Sequence, residues 1–213
     1  MNYLIYHPKR QVSEIGNLKV YHDSFGHNED PYIWNKSFLH SFCHITQIFP
    51  QLGSHIFWVS GDTYPNFNKL NCDCVFVVKE KTYWTTANKI EITAPIVDNE
   101  QTFLHHYNWV NPPHNEHPFK KRRRYTLKAD ENKSCQPQDE NQNLIDIVPF
   151  LNKNGISIEN LRSSMSKTKN GKHALNSRPY KLTDELTEKL YNYLLNSDIT
   201  IEGQMIENKH PNN

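Results

Sequence analysis

Apolar and polar residues alternate along the first half of the chain in a way that predicts strands separated by loops. Runs rich in Tyr, Val, Ile and Phe occur at residues 2–8, 18–26, 54–62 and 72–84, each close to Pro, Gly, Asn or Asp. β-Branched and aromatic residues bounded by turn formers are typical of β-strands. The last two runs are the most continuous, and we expect them to be antiparallel neighbours in one sheet.

Helical spacing appears at residues 34–52, where apolar side chains recur at steps of three and four and indicate one buried face. A short apolar helix is predicted before Gly155, and Ser157 is positioned as the N-cap of another. Thr183 precedes the most regular helical pattern, with Glu residues in the first turns. The buried face of this last helix is predicted to contain Leu186, Leu190, Tyr193 and Leu194.

These elements predict an α+β fold with a mixed, largely antiparallel sheet or a partly closed barrel over residues 1–128. A small helical extension at 144–197 has too few apolar residues to fold alone, so it is expected to dock on the sheet. The stretch 129–143 is polar and without periodicity, which predicts a linker or long loop. Residues 198–213 are predicted to be a flexible tail.

Composition excludes a strong overall field around the molecule. The 213 residues include 24 Lys and Arg against 23 Asp and Glu, so any attraction to a polyanion must be local. Aromatic residues make up 12% of the chain, which favours a packed core over disorder. No secretory signal or membrane-spanning run is visible, so we expect a cytoplasmic protein with reduced thiols and no membrane partner.

One local concentration of charge stands out in a predicted strand at 122–130 and just before it. Alternate residues of a strand share a face about 7 Å apart, close to the phosphate repeat of a single nucleic-acid strand. Guanidinium groups bind phosphate through two points or stack on bases. The pattern predicts DNA or RNA as partner, held by Lys120, Lys121, Arg122, Arg123, Arg124 and Lys128.

The basic run also has two alternatives to nucleic-acid binding, and the sequence leaves both open. A solvated edge strand can be kept basic because the charge blocks aggregation through the open edge. Alternatively, the run pairs with carboxylates of the same chain, and the acidic stretches 130–134 and 184–189 are the candidates.

Three tryptophans at predicted strand ends are candidates for contacting a nucleobase: Trp58, Trp84 and Trp109. A base taken out of its stack is held between aromatic rings and read by hydrogen bonds at its edge. Ser60 and Asp62 follow Trp58 and are placed to supply such bonds. The competing interpretation is that each Trp is simply a core residue.

A histidine-rich segment at 105–117 raises the alternative of a nuclease-like enzyme acting on nucleic acid or a nucleotide. The candidate acid–base or metal-binding residues are His105, His106, His114 and His117. Zinc held by Cys72, Cys74 and two of these histidines is a further possibility. Strand alternation predicts instead that both sulfurs point to one apolar face as core residues, so no metal and no cofactor is expected.

The order of elements in residues 20–62 and 72–84 resembles nucleotide-modification-associated domains of the PUA-like group, which includes the EVE and ASCH domains. A strand with an Asp and an aromatic-Gly turn comes first, and a helical segment leads to Gly-Asp. A strand ending in Ser/Gly follows, and then an apolar strand with Val-Val-Lys-Glu and Tyr-Trp. The resemblance covers about the first 85 residues. It implies a PUA-like barrel and a link to modified nucleotides in nucleic-acid modification or phage–host conflict and defence. Trp58, Ser60 and Trp84 match strand-end positions of the family.

The sequence therefore favours a nucleic-acid-binding module, with the nuclease-like enzyme as the first alternative. A protein–protein adaptor is the second, with the C-terminal helical piece as its docking surface. The sequence leaves open whether the partner is DNA or RNA and what the oligomeric state is.

Overall fold

The computed structural model describes residues 1–7, 10–22, 40–41, 50–63, 66–83, 125–165, 168–169, 172–173 and 179–202. The strands in these residues are β1 (Asn2–His7), β2 (Gln11–Ile15), β3 (Leu18–His22), β4 (His40–Ser41), β5 (His55–Ser60), β6 (Asn71–Tyr83), β7 (Tyr125–Ala129), β8 (Cys135–Gln138), β9 (Ile145–Asp146), β10 (Thr168–Lys169), β11 (Lys172–His173), β12 (Tyr180–Leu182) and β13 (Ile199–Glu202). The helices are α1 (Val148–Lys153), α2 (Ile158–Met165) and α3 (Asp184–Leu195).

The described strands form one large sheet around β6. Its main order is β12-β1-β5-β6-β7-β4, with β8 and β9 also paired to β6 and β13 paired to β8. Among the described strands of this sheet, β1 and β5 run parallel and the remaining pairs are antiparallel. The predicted α+β class with a mixed, largely antiparallel sheet is confirmed, and across the described strands the sheet does not close into a barrel.

The long apolar runs at 54–62 and 72–84 became the central pair of this sheet. β5 and β6 pair antiparallel from His55↔Val77 to Ser60↔Asn71, as predicted. Strands that are buried on both faces carry continuous apolar runs, and five of the six residues of β5 are buried. Val75 pairs with β5 on one side and with Cys135 of β8 on the other, so β6 is an interior strand here.

One face of the sheet carries the helices. Its buried cluster combines strand residues such as Leu4, Phe57 and Val75 with helix residues including Leu161 and Leu190. Helices cannot bury an apolar stripe alone, and packing on a sheet is the usual solution. This face is therefore the larger part of the apolar core.

The predicted helix boundaries and caps are confirmed at three sites. Thr183 Oγ1 accepts a hydrogen bond from the Leu186 amide at 3.2 Å, and Ser157 Oγ accepts one from the Asn160 amide at 3.2 Å. Gly155 has a φ of 83°, which glycine adopts without strain, and follows α1.

The predicted buried face of α3 is partly wrong. Leu190 and Leu194 are buried, and Leu186 is half-buried, but Tyr193 is 41% exposed. Thr187 is buried instead, because its hydroxyl donates to the Thr183 carbonyl at 2.7 Å and needs no partner in water.

A β-bulge in β6 overturns the prediction that Cys72 and Cys74 point to the same face. Trp58 pairs with Cys74 and the next residue, Val59, pairs with Cys72, so Asp73 is the extra residue. An extra residue shifts alternation by one step. Cys72 consequently belongs to the helix-bearing face, and Cys74 lies on the opposite face with Phe76.

Several segments that were predicted to be linker, tail or helix contain strands of the sheet. Residues 129–143, predicted to be a linker or long loop, contain β8, whose four residues are all buried, so part of this segment belongs to the sheet. Residues 199–202 of the predicted tail form β13 and pair with β8. Of the helix predicted at 34–52, residues 40–41 form β4 beside β7, and residues 42–49 lie outside the described part.

Candidate nucleic-acid interface

The strand that follows the basic run pairs with the C-terminal half of β6. The ladder runs from Val78↔Ala129 to Tyr83↔Tyr125. Along the chain, Trp84 directly follows Tyr83, and Arg124 directly precedes Tyr125. Two separate sequence predictions, an indole and a basic run, thus continue from the same end of one ladder.

Most of the predicted interface lies beyond the described residues. This holds for residues 120–124, for Trp84 and Trp109, and for the histidine-rich segment with His105, His106, His114 and His117. Lys128 is the exception, since its backbone pairs with Glu80 of β6 and with His40 of β4.

The pairing of β7 bears on the first alternative for the basic run, protection of an open edge. Leu127 and Lys128 have β6 on one side and β4 on the other. A strand paired on both sides has no open edge that charge would need to protect. Edge protection therefore does not account for the basic residue that lies in this part of β7.

The second alternative is neutralisation by the acidic stretches, and three of their five carboxylate residues contact other groups. Asp130 lies 3.8 Å from Lys133 and accepts a hydrogen bond from the Asn132 amide at 3.0 Å. Glu185 pairs with Lys189 at 2.7 Å, and this contact lowers the pKa of Glu185. Asp184 accepts from the Asn2 amide group at 2.9 Å.

The predicted base-reading residues Trp58, Ser60 and Asp62 lie in different environments. Trp58 is 0% exposed and packs within the cluster opposite the helices, so it presents no face on which a base can stack. Ser60 is buried as well, whereas Asp62 lies on an exposed loop. Asp62 Oδ1 accepts from the Asn68 amide at 3.0 Å, which lowers its pKa and closes the loop between β5 and β6.

Close packing explains why glycine occurs at the start of this loop. A Cβ on Gly61 would lie 2.7 Å from Cβ of Phe67, so only glycine allows the approach. Arg162 of α2 ties the loop to the helix, donating to the Phe67 carbonyl at 2.9 Å and to Asn68 at 2.7 Å. These contacts join the described part of the loop to α2.

The buried charged pair at the bulge was not found by sequence reasoning. Arg10 follows β1, and its Nε donates to Oδ2 of Asp73, with both side chains almost wholly buried. β-Bulges re-aim side chains and are frequent near functional sites. A single Arg and a single Asp in sequence-distant positions give no pattern from which this contact could be predicted.

Glutamine side chains of β8 surround the same bulge. Gln136 Nε2 donates to the carbonyls of Asp73 and Tyr21, both at 2.9 Å, and its Oε1 accepts from the Tyr21 amide at 2.9 Å. Gln138 Nε2 donates to the Lys19 carbonyl at 2.7 Å. The backbone of β3 thus binds these buried amide side chains, as buried polar groups require.

Thiol chemistry is not favoured at the described cysteines. Cys72, Cys74 and Cys135 are all buried, and no disulfide links any two of these three. Burial raises the pKa of Cys72 and of Cys74 well above the usual value, and the charge of Asp73 adds to the effect. Within the described residues, no three His, Cys, Asp or Glu side chains are grouped closely enough to hold a metal ion.

None of the helices in the described ranges has the length and apolar character needed to cross a bilayer. Comparison of the chain with protein-family models, with curated proteins and with solved structures found no match.

Proposed function

We propose that the protein is a nucleic-acid-binding module whose interface lies where β6 ends and β7 begins. One observation carries the proposal: Tyr83 pairs with Tyr125. Trp84 directly follows Tyr83 in the sequence, and Arg124 directly precedes Tyr125. Positive charge for a phosphate backbone and an aromatic ring for a base are thereby joined to the same end of one ladder.

Electrostatics supports a local rather than a global attraction. The chain has a net charge of only +1, so the five consecutive basic residues at 120–124 must supply the binding free energy largely by themselves. Counterions released from phosphates make such binding depend on salt, with a slope of about 0.7–0.9 log units per contact. Five contacts would give a steep dependence, which a binding titration resolves easily.

The resemblance to PUA-like nucleotide-modification-associated domains adds a narrower proposal. On that basis, the base that is read is a modified nucleotide, in a setting of nucleic-acid modification or defence. The open course of the described strands lends no support to the barrel that the resemblance implies. With Trp58 and Ser60 buried, Trp84 and Trp109 remain as candidate aromatic contacts.

The burial of the C-terminal helices favours the nucleic-acid-binding proposal over the adaptor alternative. That alternative takes the C-terminal helical piece as a docking surface that can be deleted while the sheet domain stays folded. Leu151, Leu161, Leu190 and Leu194 of those helices are instead fully buried in the cluster that also contains β1, β5 and β6. Removing residues 144–213 would therefore expose core rather than delete a free surface.

The proposal is tested by reversing charge in the basic run. The variant Arg122→Glu, Arg123→Glu, Arg124→Glu should lose at least about tenfold in affinity for labelled single-stranded DNA or RNA, with a shallower salt slope. The matched control is Lys69→Glu, Lys153→Glu, Lys181→Glu, which changes net charge equally at exposed sites on different elements.

The control should retain most of the affinity. Equal losses in both triple variants would show that only net charge matters, and unchanged binding in the arginine variant would refute the interface. Circular dichroism and thermal unfolding of each variant establish that the fold is intact.

A further inference from the structure

We infer that the hairpin of β2 and β3 is a separately opening flap, fastened to the sheet by side chains and able to detach while the sheet stays folded. Among the described residues, β2 and β3 pair only with each other and form a two-stranded sheet of their own. No backbone ladder therefore joins them to the large sheet in this part of the chain.

Side-chain amides take the place of that missing ladder. The backbone of Tyr21 is bound at both its amide and its carbonyl by Gln136, and the backbone of Lys19 is bound by Gln138 and Gln142. The Tyr21 hydroxyl also donates to the Gln142 carbonyl at 2.9 Å. Side-chain hydrogen bonds of this kind are directional, and each is broken by a small displacement of the strand.

Among the hairpin side chains that the structure describes, few apolar groups are fully buried, and Leu18 and Tyr21 are half-buried. Val20 is the hairpin side chain described as fully buried, whereas Val12 is 50% exposed and Gln11, Glu14 and Asn17 are exposed. By contrast, every residue of β6 from Cys72 to Val78 is buried. Few buried apolar contacts mark the segments of a protein that open locally before the rest unfolds.

The Arg10–Asp73 pair links the residue before β2 to β6, at the point where the chain enters the flap. Arg10 directly precedes β2, and Asp73 is the bulged residue of β6 whose carbonyl also binds Gln136. Opening of the flap would bare the amides of Gln136 and Gln138 at the end of β6 that lies away from Tyr83. The device is therefore distinct from the proposed nucleic-acid interface.

Two backbone amides report directly on docking. Lys19 and Tyr21 are two residues apart on β3, so their N–H groups point the same way and meet the glutamine oxygens rather than β2. In hydrogen exchange followed by NMR, these two amides should exchange at least about tenfold faster than Val78, which donates to Ser54 within the sheet. Their exchange should also respond little to low urea, unlike that of Val78.

The variant Gln142→Asn tests the fastening. Gln142 has a φ of 60°, which asparagine tolerates well, and the shorter side chain cannot reach Lys19. Exchange at Lys19 and Tyr21 should rise by about fivefold to tenfold, with Val78 unchanged. The control is Gln11→Asn, the same change at an exposed position of the same hairpin.

Two results would overturn the inference. Equal exchange rates and equal urea responses at Lys19, Tyr21 and Val78 would mean that the hairpin opens only with the sheet. Equal effects of Gln142→Asn and Gln11→Asn would mean that the glutamines do not fasten it.

Discussion

The helix-bearing face of the sheet and the bulged end of β6 bury their residues by different chemistry. On the helix face the buried cluster is apolar, with Phe57, Leu151 and Leu190 among its members. At the bulge the buried side chains include Arg10, Asp73, Gln136 and Gln138. Apolar burial is non-directional and tolerates adjustment, whereas each buried polar group needs a particular partner. The first region supplies stability, and the second fixes one arrangement of strands.

The largest effect is expected from breaking the charged pair. Asp73→Asn removes a carboxylate that contacts the buried Arg10 guanidinium, and we expect a loss of about 3–5 kcal/mol in the free energy of unfolding. Urea denaturation measures this loss. The double variant Arg10→Met, Asp73→Asn should recover most of it, because the buried guanidinium charge is then removed together with the carboxylate. A single variant as stable as the wild type would show that the pair is not a structural requirement.

Removing apolar volume from the helix face should cost nearly as much. Leu190→Ala empties a site that is 0% exposed and should lower the free energy of unfolding by about 2–5 kcal/mol. Leu195→Ala on the same helix is the control, since Leu195 is 40% exposed and should change stability by less than about 0.5 kcal/mol. Similar losses in both variants would contradict the assignment of the buried face of α3.

A smaller, pH-dependent effect is expected at His55. Its ring lies 4.8 Å from the ring of Tyr191, and burial lowers its pKa below the ordinary value near 6.5. Below that pH the unfolded chain takes up a proton that the folded protein does not bind, so stability should fall as pH decreases from about 7 towards about 5. His55→Gln should reduce this slope in urea titrations at several pH values. An unchanged slope would assign the effect to different histidines.

Sequence patterns located the central pair of strands and the helices because those elements carry continuous or periodic apolar residues. β5, β6 and the capped helix α3 were predicted for that reason and are confirmed. β8 was missed because Gln136 and Gln138 look like surface residues, although their amides bind the backbone of β3. Polar composition signals exposure only when no buried partner is available, and here the partner is distant along the chain.

The β-bulge explains why the facing of the two cysteines could not be predicted from the sequence. Alternation places Cys72 and Cys74 together, and a single extra residue at Asp73 separates them. Bulges depend on how two strands meet, which one strand's sequence does not reveal. For Trp58 the sequence allowed core or surface, and tertiary packing made it core.

Photo-crosslinking of the wild-type protein to single-stranded DNA and RNA tests most directly whether nucleic acid binds where β6 ends and β7 begins. Mass spectrometry of the crosslinked peptides should find them within residues 83–84 and 120–125, with the yield falling steeply as salt increases. Crosslinks confined to α1, α2 and α3, or a yield independent of salt, would contradict the claim.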